Sequence, residues 1–219
     1  MKPRLDPTLY LVTDPDVGHG RPLSAIVTQA VRGGVTLVQL RDKRAEGKAL
    51  MELARELRRV LDPAGVPLIV NDRADVAVAA GAAGCHVGQT DLPAPKARAL
   101  LGESALLGLS LDVPAQAREA DPGLLDYIAF GPFAATETKT DAGLPVGTDG
   151  IHAVRSLTTL PLVAIGGIDA GSAGAAIEAG ADGIAVVSAI MAAPDPEAAA
   201  RELRGVIEAA RQRRRKETA

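Results

Sequence analysis

Short apolar runs alternate with helix-like stretches along nearly the whole chain, and this alternation restricts the fold more than any other feature. The apolar runs are rich in Val, Ile and Leu, as buried parallel strands are. They predict strands at 9–14, 35–40, 67–71, 85–88, 105–110, 126–130, 161–166 and 183–188. Helices are predicted to begin near 23, 47, 74, 94, 114, 148 and 171, and a last helix to extend from about 196 to 213. This order is typical of parallel strands joined by crossover helices.

A closed barrel is favoured over an open doubly wound sheet because the chain repeats one unit. The segment AGAAGCHVG at 80–88 is similar to AGADGIAVVS at 179–188, and in both a glycine can end a helix before the next strand. The GxGxxG pattern of an open dinucleotide-binding sheet does not follow the first strand. We therefore predict an α/β protein with a single (β/α)8 TIM-barrel domain over residues 1–219.

Charge and cysteine content argue against several classes of protein. The formal net charge of −3 argues against a dedicated nucleic-acid-binding protein. The basic run at 211–216 is interpreted as a solvated helix end, with a frayed basic tail over about 211–219. Cys85 has no disulfide partner and is expected to be buried. No apolar run has the length of a membrane helix, so we expect a cytoplasmic protein without a membrane partner; a homo-oligomer is compatible with the sequence.

Polar residues collect where the predicted strands end. In barrels of this type, catalytic groups gather at the carboxyl ends of the strands, so one end of the molecule should carry the chemistry. The polar residues that follow the second to fifth strands are Gln39, Arg41, Lys43, Asn71, Asp72, Gln89, Asp91 and Ser110.

The segment GPFAATETKTDAGLPVG at 131–147 places hydroxyl, ammonium and glycine groups in the loop after the sixth strand. Thr136, Thr138 and Lys139 could donate hydrogen bonds to an anion such as phosphate, and the glycines allow close backbone approach. With Arg41 and Lys43, Lys139 would form a cationic cluster suited to a polyphosphate. The alternative is that Arg41 and Lys43 are solvated loop charges and that the segment is an ordinary loop.

Two carboxylates on neighbouring strands predict a site for a hard cation. Asp72 and Asp91 can converge on one Mg²⁺, with water and ligand phosphates as the remaining ligands. Asp72 could instead pair with Arg73 or cap the following helix. A zinc site is not expected, because the three histidines are scattered. His86 lies within a strand and is interpreted as a barrel-lining residue rather than a base.

A second anion site is expected after the last two strands, in the segments AIGGI at 164–168 and VVSAI at 186–190. In barrels these two loops commonly bind phosphate through backbone N–H groups and the start of a short helix. Gly167, Val187 and Ser188 are placed to do so. No nucleophile stands beside a base, so acyl transfer and covalent hydrolysis are not expected.

Eight motifs, in this order, resemble those of thiamine-phosphate synthases: LYLVTD, VQLRDK, VNDR, HVGQTDLP, GLS, GPFAATETKTDAGLPVG, AIGGI and VVSAI. The resemblance extends from about residue 9 to residue 191. It implies a Mg²⁺-dependent barrel enzyme that joins 4-amino-5-hydroxymethyl-2-methylpyrimidine pyrophosphate to a thiazole phosphate and releases pyrophosphate. It also implies a dissociative reaction, in which the pyrophosphate leaves a pyrimidine carbocation that the thiazole nitrogen traps.

The resemblance also assigns roles to individual residues. Those implied to contact the pyrimidine pyrophosphate are Gln39, Arg41, Lys43, Asn71, Ser110 and Lys139. Those implied to hold the thiazole phosphate or its carboxylate are Thr136, Thr138, Gly167, Val187 and Ser188. Asp72 and Asp91 would bind Mg²⁺. The catalytic groups would be Arg41, Lys43, Ser110 and Lys139.

The chain departs from the family pattern beside two loops. Ala134 and Ala135 stand where an aromatic residue and a proline are frequent, and Leu111 and Asp112 follow GLS in place of Thr-His. These departures concern substrate packing and loop behaviour more than reaction class. The nearest rival function is that of the thiazole tautomerase paralogue, which usually carries a histidine where this chain has Ser110. A non-catalytic phosphate-binding barrel and a sugar-phosphate isomerase are two more distant rivals.

Overall fold

Eight parallel strands form a closed barrel in the computed structural model, which describes residues 2–136 and 143–217, for Glu217 the backbone only. The strands pair in chain order, and the eighth pairs with the first. They are β1 (Leu9–Val12), β2 (Leu37–Leu40), β3 (Leu68–Asn71), β4 (Gly84–Val87), β5 (Leu106–Leu111), β6 (Tyr127–Phe130), β7 (Leu162–Ile165) and β8 (Gly183–Val186). The predicted (β/α)8 barrel is confirmed, and each strand lies within or next to its predicted range.

Helices cover the outside of the barrel. They are α1 (Leu23–Arg32), α2 (Gly47–Leu61), α3 (Ala74–Ala80), α4 (Ala94–Leu101), α5 (Gly147–Arg155), α6 (Ala173–Glu178), α7 (Ser188–Met191) and α8 (Pro196–Glu217). The helix predicted near residue 114 is a short 3-10 helix, Pro114–Arg118. Among the described helices, none combines the length and apolar character needed to cross a bilayer.

Two apolar layers follow from the two-residue period of the strands. One face of each strand packs against the helices and belongs to the main core, which includes Cys85. The other face points into the barrel, where a separate cluster fills the interior. Its buried members are Tyr10, Val12, Leu37, Ile69, Leu106, Tyr127, Ala129, Val163 and Ala185. Because both faces are buried, the strands read as nearly continuous apolar runs.

Two arginine–aspartate pairs close the amino-terminal end of the barrel. Arg98, on α4, donates to the carboxylate of Asp126, which also accepts the backbone N–H of Leu107. Arg155, on α5, donates to Asp182, whose carboxylate accepts the N–H of the first residue of β7. Each pair connects a helix to the beginning of a strand, at the end of the barrel opposite the polar residues. We therefore interpret this end as structural rather than catalytic.

The basic carboxyl-terminal segment is helical as far as Glu217, and the fraying expected over 211–219 stays a prediction. The guanidinium of Arg211 donates to the backbone carbonyl of Asp182. That of Arg214 donates to the carbonyls of Ile177 and Ala181, at 2.8 and 3.1 Å. These carbonyl contacts join the last turns of α8 to the end of α6 and to the segment between α6 and β8. Residues 218 and 219 lie outside the described part of the chain.

Candidate active site

A pocket of about 630 Å³ opens at the carboxyl ends of the strands. Every predicted site residue within the described ranges lines it. They are Gln39, Arg41, Lys43, Asn71, Asp72, Asp91, Ser110, Thr136, Gly167, Val187 and Ser188. Thr138 and Lys139 lie outside the described residues. The structure thus brings together the cationic, carboxylate and glycine-rich groups that the sequence places on separate loops.

Strand alternation explains why these side chains reach the pocket. Gln39 is two residues beyond the inward-facing Leu37 on β2, and Asn71 is two residues beyond Ile69 on β3. Ser110 continues the inward series of β5 in the same way. The series changes from apolar to polar near the carboxyl end of each strand. The barrel interior is therefore mainly apolar at its base and polar at its mouth.

Arg41 is held in place by the two residues that follow β1. Its guanidinium Nη1 lies 3.2 Å from Oδ2 of Asp14, and both side chains are largely buried. Its backbone N–H donates to the hydroxyl of Thr13 at 3.0 Å. The Asp14 carboxylate also accepts the N–H of Asp16 at 3.0 Å. Arg41 is thus a positioned pocket residue and not a solvated loop charge.

The Asp72 and Asp91 carboxylates come together at the mouth of the pocket. Burial of Asp72 and the adjacent Asp91 carboxylate raise the Asp72 pKa from 3.8 to about 6, against the lowering influence of Lys43 and Arg41. Asp91 accepts the backbone N–H of Gly88 at 2.8 Å, which orients its carboxylate.

The structural roles considered for Asp72 are not observed. Arg73 pairs with Asp75, at 2.8 and 2.6 Å, and not with Asp72. Helix α3 begins after Arg73 without a side-chain cap. Asp72 has a φ of 60°, a left-handed conformation that is uncommon outside glycine. Because such strain concentrates at functional positions, this backbone supports a ligand-binding role for Asp72.

The loops after β6, β7 and β8 meet on the opposite side of the pocket. Gly166 and Gly167 have φ values of 93° and 67°, which disfavour side chains. A Cβ at Gly167 would also overlap the carbonyls of Ala134 and Ala135. Helix α7 starts at Ser188, which lines the same pocket as this glycine pair. The residues of the predicted backbone-rich anion site therefore line one pocket, and anion binding there stays a prediction.

The pocket floor carries a continuous chain of hydrogen bonds. Gln39 Nε2 donates to the Tyr10 hydroxyl at 2.7 Å, and the Tyr10 hydroxyl lies 2.8 Å from that of Tyr127. The Tyr127 hydroxyl lies 3.0 Å from His86 Nδ1, and His86 Nε2 lies 2.8 Å from Ser110 Oγ. Burial lowers the pKa of His86 to about 4, so the imidazole is neutral at pH 7. His86 is a barrel-lining residue with both ring nitrogens bonded, as its place in a strand predicts.

Comparison with known proteins identifies the family. A family model described as thiamine monophosphate synthase matches residues 9–190. The chain belongs to the thiamine monophosphate synthase family. It is thus a transferase of thiamine biosynthesis. The thiamine-phosphate synthase of Azorhizobium caulinodans is 52% identical over 94% of this chain and 97% of that protein. The one from Xanthobacter autotrophicus is 53% identical over 94% and 98%.

A solved structure from the same family has the same fold as this chain. The thiamine phosphate pyrophosphorylase from Pyrococcus furiosus superposes with a TM-score of 0.84 at 32% identity. The alignment covers 94% of this chain and 97% of that chain. The agreement extends over the whole barrel, so the family assignment does not depend on one loop or motif.

The donor set of this family member fits a magnesium ion that is shared with a ligand. Among the described residues, no group of three or more His, Cys, Asp or Glu side chains could hold a metal. Asp72 and Asp91 supply two adjacent carboxylates, and the amide of Asn71 lies on the same rim. Mg²⁺ is commonly bound by one or two carboxylates together with substrate phosphates. Because two carboxylates occupy only part of the coordination shell of the ion, the ion would bind most strongly when a phosphorylated ligand supplies further oxygen atoms.

Sequence reasoning missed three functional-site residues of this thiamine monophosphate synthase family member. Asp14 holds Arg41, and Tyr10 and Tyr127 supply the hydroxyls of the pocket floor. The apolar runs around Tyr10 and Tyr127 predict only a contribution to the core. The sequence feature that could have identified them is the inward position of each tyrosine on its strand, because a buried phenol hydroxyl needs a polar partner.

Proposed function

We propose that this chain condenses 4-amino-5-hydroxymethyl-2-methylpyrimidine pyrophosphate with a thiazole phosphate to give thiamine phosphate and pyrophosphate. Family membership supports the reaction class, and the arrangement of the pocket supports the substrate pair. The observation that carries the proposal is that a cationic, carboxylate-bearing rim and a glycine-rich rim face each other across one cavity. Each rim suits one phosphorylated substrate, and the space between them is where the two would be joined.

The first rim would bind the pyrophosphate. Arg41 can bind phosphate oxygens with a forked pair of N–H groups, and Lys43 adds a point charge beside it. Because Asp14 already orients the guanidinium, less conformational freedom is lost when the substrate binds. Asn71 would donate a further hydrogen bond from its side-chain amide. Together these groups stabilise negative charge where it accumulates as the leaving group departs.

The second rim would bind the thiazole phosphate. Gly167 permits close backbone approach, and Val187 and Ser188 line the cavity where α7 begins, so the first N–H groups of this helix would donate to the phosphate. The hydroxyls of Ser188 and Thr136 would add hydrogen bonds. This arrangement would place the thiazole nitrogen over the pyrimidine held at the floor.

The reaction proposed is dissociative. The bond between the pyrimidine methylene carbon and the pyrophosphate oxygen breaks, and its electron pair leaves with the pyrophosphate. The thiazole nitrogen then donates its lone pair to the carbocation, and the new C–N bond completes thiamine phosphate. No proton needs to be removed, which agrees with a floor whose imidazole, His86, already has both ring nitrogens bonded. The apolar side chains of Val12, Ala129 and Ala185 would keep water away from the cation.

Magnesium is proposed as the cofactor, held by Asp72 and Asp91 together with oxygen atoms of the pyrophosphate. When bound, the ion would supply positive charge to the departing pyrophosphate. The raised pKa of Asp72 supports this assignment, because two adjacent carboxylates are relieved by a cation between them.

The direct test is to incubate the purified protein with both substrates and Mg²⁺ and to measure thiamine phosphate and pyrophosphate. Equal amounts of the two products are expected. Arg41→Ala should reduce turnover by about 10²- to 10³-fold, as loss of a charge-stabilising donor does. Arg44→Ala is the matched control, because Arg44 pairs with Asp16 at an exposed position of the same loop and should leave turnover unchanged.

A folded protein that forms neither product would refute the proposal. Isomerisation of the thiazole phosphate in the absence of the pyrimidine substrate would instead identify a tautomerase. The cytoplasmic location and the homo-oligomer considered from the sequence stay predictions. Cell fractionation and sedimentation measurements would test them.

A further inference from the structure

The hydrogen-bonded chain at the pocket floor joins two pocket residues on well-separated strands. Gln39 is on β2 and Ser110 is on β5, and both line the pocket. Between them, the chain passes through Tyr10, Tyr127 and His86, each at most 5% exposed. The four successive contacts measure 2.7, 2.8, 3.0 and 2.8 Å. None of these four links is long enough to require an intervening water.

The centre of this chain is held by close packing. Gly108 on β5 lies between His86 on β4 and Tyr127 on β6, and pairs with both in the barrel register. A Cβ at Gly108 would overlap the Tyr127 ring and His86 Nδ1, so the contact exists only because this residue is glycine. The imidazole also stacks on the Tyr127 ring, with centroids 5.4 Å apart. The Tyr10 ring meets Tyr127 edge to face at 5.9 Å.

The protons along such a chain must all point the same way, because each tyrosine hydroxyl has one proton to donate. Gln39 Nε2 can only donate, so Tyr10 accepts from it and donates to Tyr127. Tyr127 then donates to Nδ1 of His86, and the neutral imidazole carries its proton on Nε2. That N–H donates to Ser110 Oγ. The proton of Ser110 is left to point into the pocket, and Gln39 presents its Oε1 there.

We propose that Tyr10, Tyr127 and His86 act as positioning residues that fix Gln39 as a hydrogen-bond acceptor and Ser110 as a donor, and so select an amino-substituted pyrimidine ring. This inference rests on the proposed function, because it places the amino-bearing edge of the pyrimidine against these two side chains. That edge of a 4-aminopyrimidine offers an N–H donor to Gln39 and the N3 acceptor to Ser110. A 4-oxo ring offers the opposite pattern at C4 and N3. To accept it, the whole chain would have to reverse, with a flipped Gln39 amide and the other His86 tautomer.

The experiment compares the affinities of the 4-amino and the 4-oxo pyrimidine pyrophosphates by calorimetry, without the thiazole substrate. The wild-type protein is expected to favour the amino compound by at least about 100-fold, since a site built around a substrate N–H strongly rejects an analogue that lacks it. Tyr127→Phe removes one hydroxyl from the middle of the chain and should reduce this preference to about 10-fold or less. Tyr10→Phe is expected to act in the same direction.

Thr36→Val is the matched control. The Thr36 hydroxyl bonds to the backbone of Leu9 at the amino-terminal end of the barrel, away from the pocket. Its removal also deletes one partly buried hydroxyl, but the ratio of the two affinities should stay at the wild-type value. A folded Tyr127→Phe and a folded Tyr10→Phe that both keep the wild-type ratio would overturn the proposal. An equal loss of preference in Thr36→Val would do so as well.

The tautomer of His86 provides a second readout that a purely structural role would not change. The chain has three histidines, so the ring nitrogens of His86 can be assigned by nitrogen NMR with a His86→Gln reference. With the 4-amino compound bound, the proton is expected on Nε2, and Tyr127→Phe should produce a mixture of tautomers. A proton on Nδ1 in the wild-type complex would overturn the proposed polarity. Because these readouts concern binding, failure to form thiamine phosphate would count against the proposed function alone.

Discussion

The guanidinium of Arg41 lies 3.2 Å from the carboxylate of Asp14, and this pair joins the ends of the neighbouring strands β1 and β2. Asp14 is 12% exposed and Arg41 is 22% exposed at the side chain, so solvent screens the pair only partly. An arginine loses rotamer freedom when it binds an anion, and a carboxylate partner restricts that freedom in advance. We therefore predict that Asp14 restricts the Arg41 guanidinium to an orientation that suits an anion in the cavity.

Asp14→Asn should weaken binding of the pyrimidine pyrophosphate by about tenfold, which corresponds to about 1.4 kcal/mol. The amide keeps the size of the side chain but loses the charge that orients the guanidinium. The affinity is measured by calorimetry. Asp16→Asn is the control, because Asp16 forms a comparable but exposed pair with Arg44 and should change the affinity little. Tighter binding by Asp14→Asn would show instead that the Asp14 charge opposes the ligand.

Which parts of this arrangement a sequence can predict depends on the range of the interactions involved. The strands, the helices and the polar rim follow from local patterns: two-residue alternation, helical segments and polar residues at strand ends. The Asp14–Arg41 pair and the Tyr10–Tyr127 contact join residues 27 and 117 positions apart, and only the closed barrel brings them together. The sequence predicts a helix near residue 114, but no local pattern distinguishes the 3-10 helix Pro114–Arg118 from an α-helix.

Asp72 and Asp91 should make stabilisation by Mg²⁺ depend on pH. Magnesium binds the carboxylate form, and protons compete for Asp72 near its raised pKa of about 6. In the presence of pyrophosphate, the increase in melting temperature caused by Mg²⁺ should be complete above about pH 7 and should decrease below about pH 6. Differential scanning fluorimetry measures it. An increase that does not change between about pH 5 and about pH 8 would contradict a role for Asp72.

The metal-free protein supplies the matching control. A carboxyl whose pKa rises on folding stabilises the fold at low pH, and this contribution is lost as pH rises from about 4 to about 6. Asp72→Asn has no such titration, so its stability relative to wild type should increase over that interval. The same variant should lose the response to Mg²⁺. A constant difference in stability between the two proteins would show that the Asp72 pKa is not raised.

Gly108→Ala should disrupt the pocket floor without changing the fold. The added methyl group would meet Tyr127 and His86, and overpacking of this kind costs about 1–3 kcal/mol of unfolding free energy. Affinity for the pyrimidine should decrease because Gln39 and Ser110 lose their fixed orientation. Chemical denaturation and calorimetry measure the two effects. Gly205→Ala is the control, because Gly205 lies within α8 with open space around it and alanine should stabilise that helix.

Arg98→Met should destabilise the barrel from the end opposite the pocket. The Arg98 side chain is 6% exposed and donates to the backbone carbonyls of Gly102, Ala105 and Leu124 as well as to Asp126. Methionine fills a similar volume but leaves those acceptors and the Asp126 carboxylate with fewer donors. Breaking a buried pair in this way costs about 3–5 kcal/mol.

Urea denaturation of Arg98→Met is expected to show this loss, while the KM for both substrates stays at the wild-type value at a temperature where the variant is folded. Arg201→Ala is the matched control, because Arg201 pairs with Glu197 on the exposed face of α8 and should cost less than about 1 kcal/mol. Lys2 also contacts Asp126, at 2.6 Å, and would retain part of the charge compensation. A loss in Arg98→Met no larger than that of Arg201→Ala would mean that Lys2 and solvent replace the guanidinium completely. A changed KM with unchanged unfolding free energy would instead show that Arg98 affects substrate binding in the pocket.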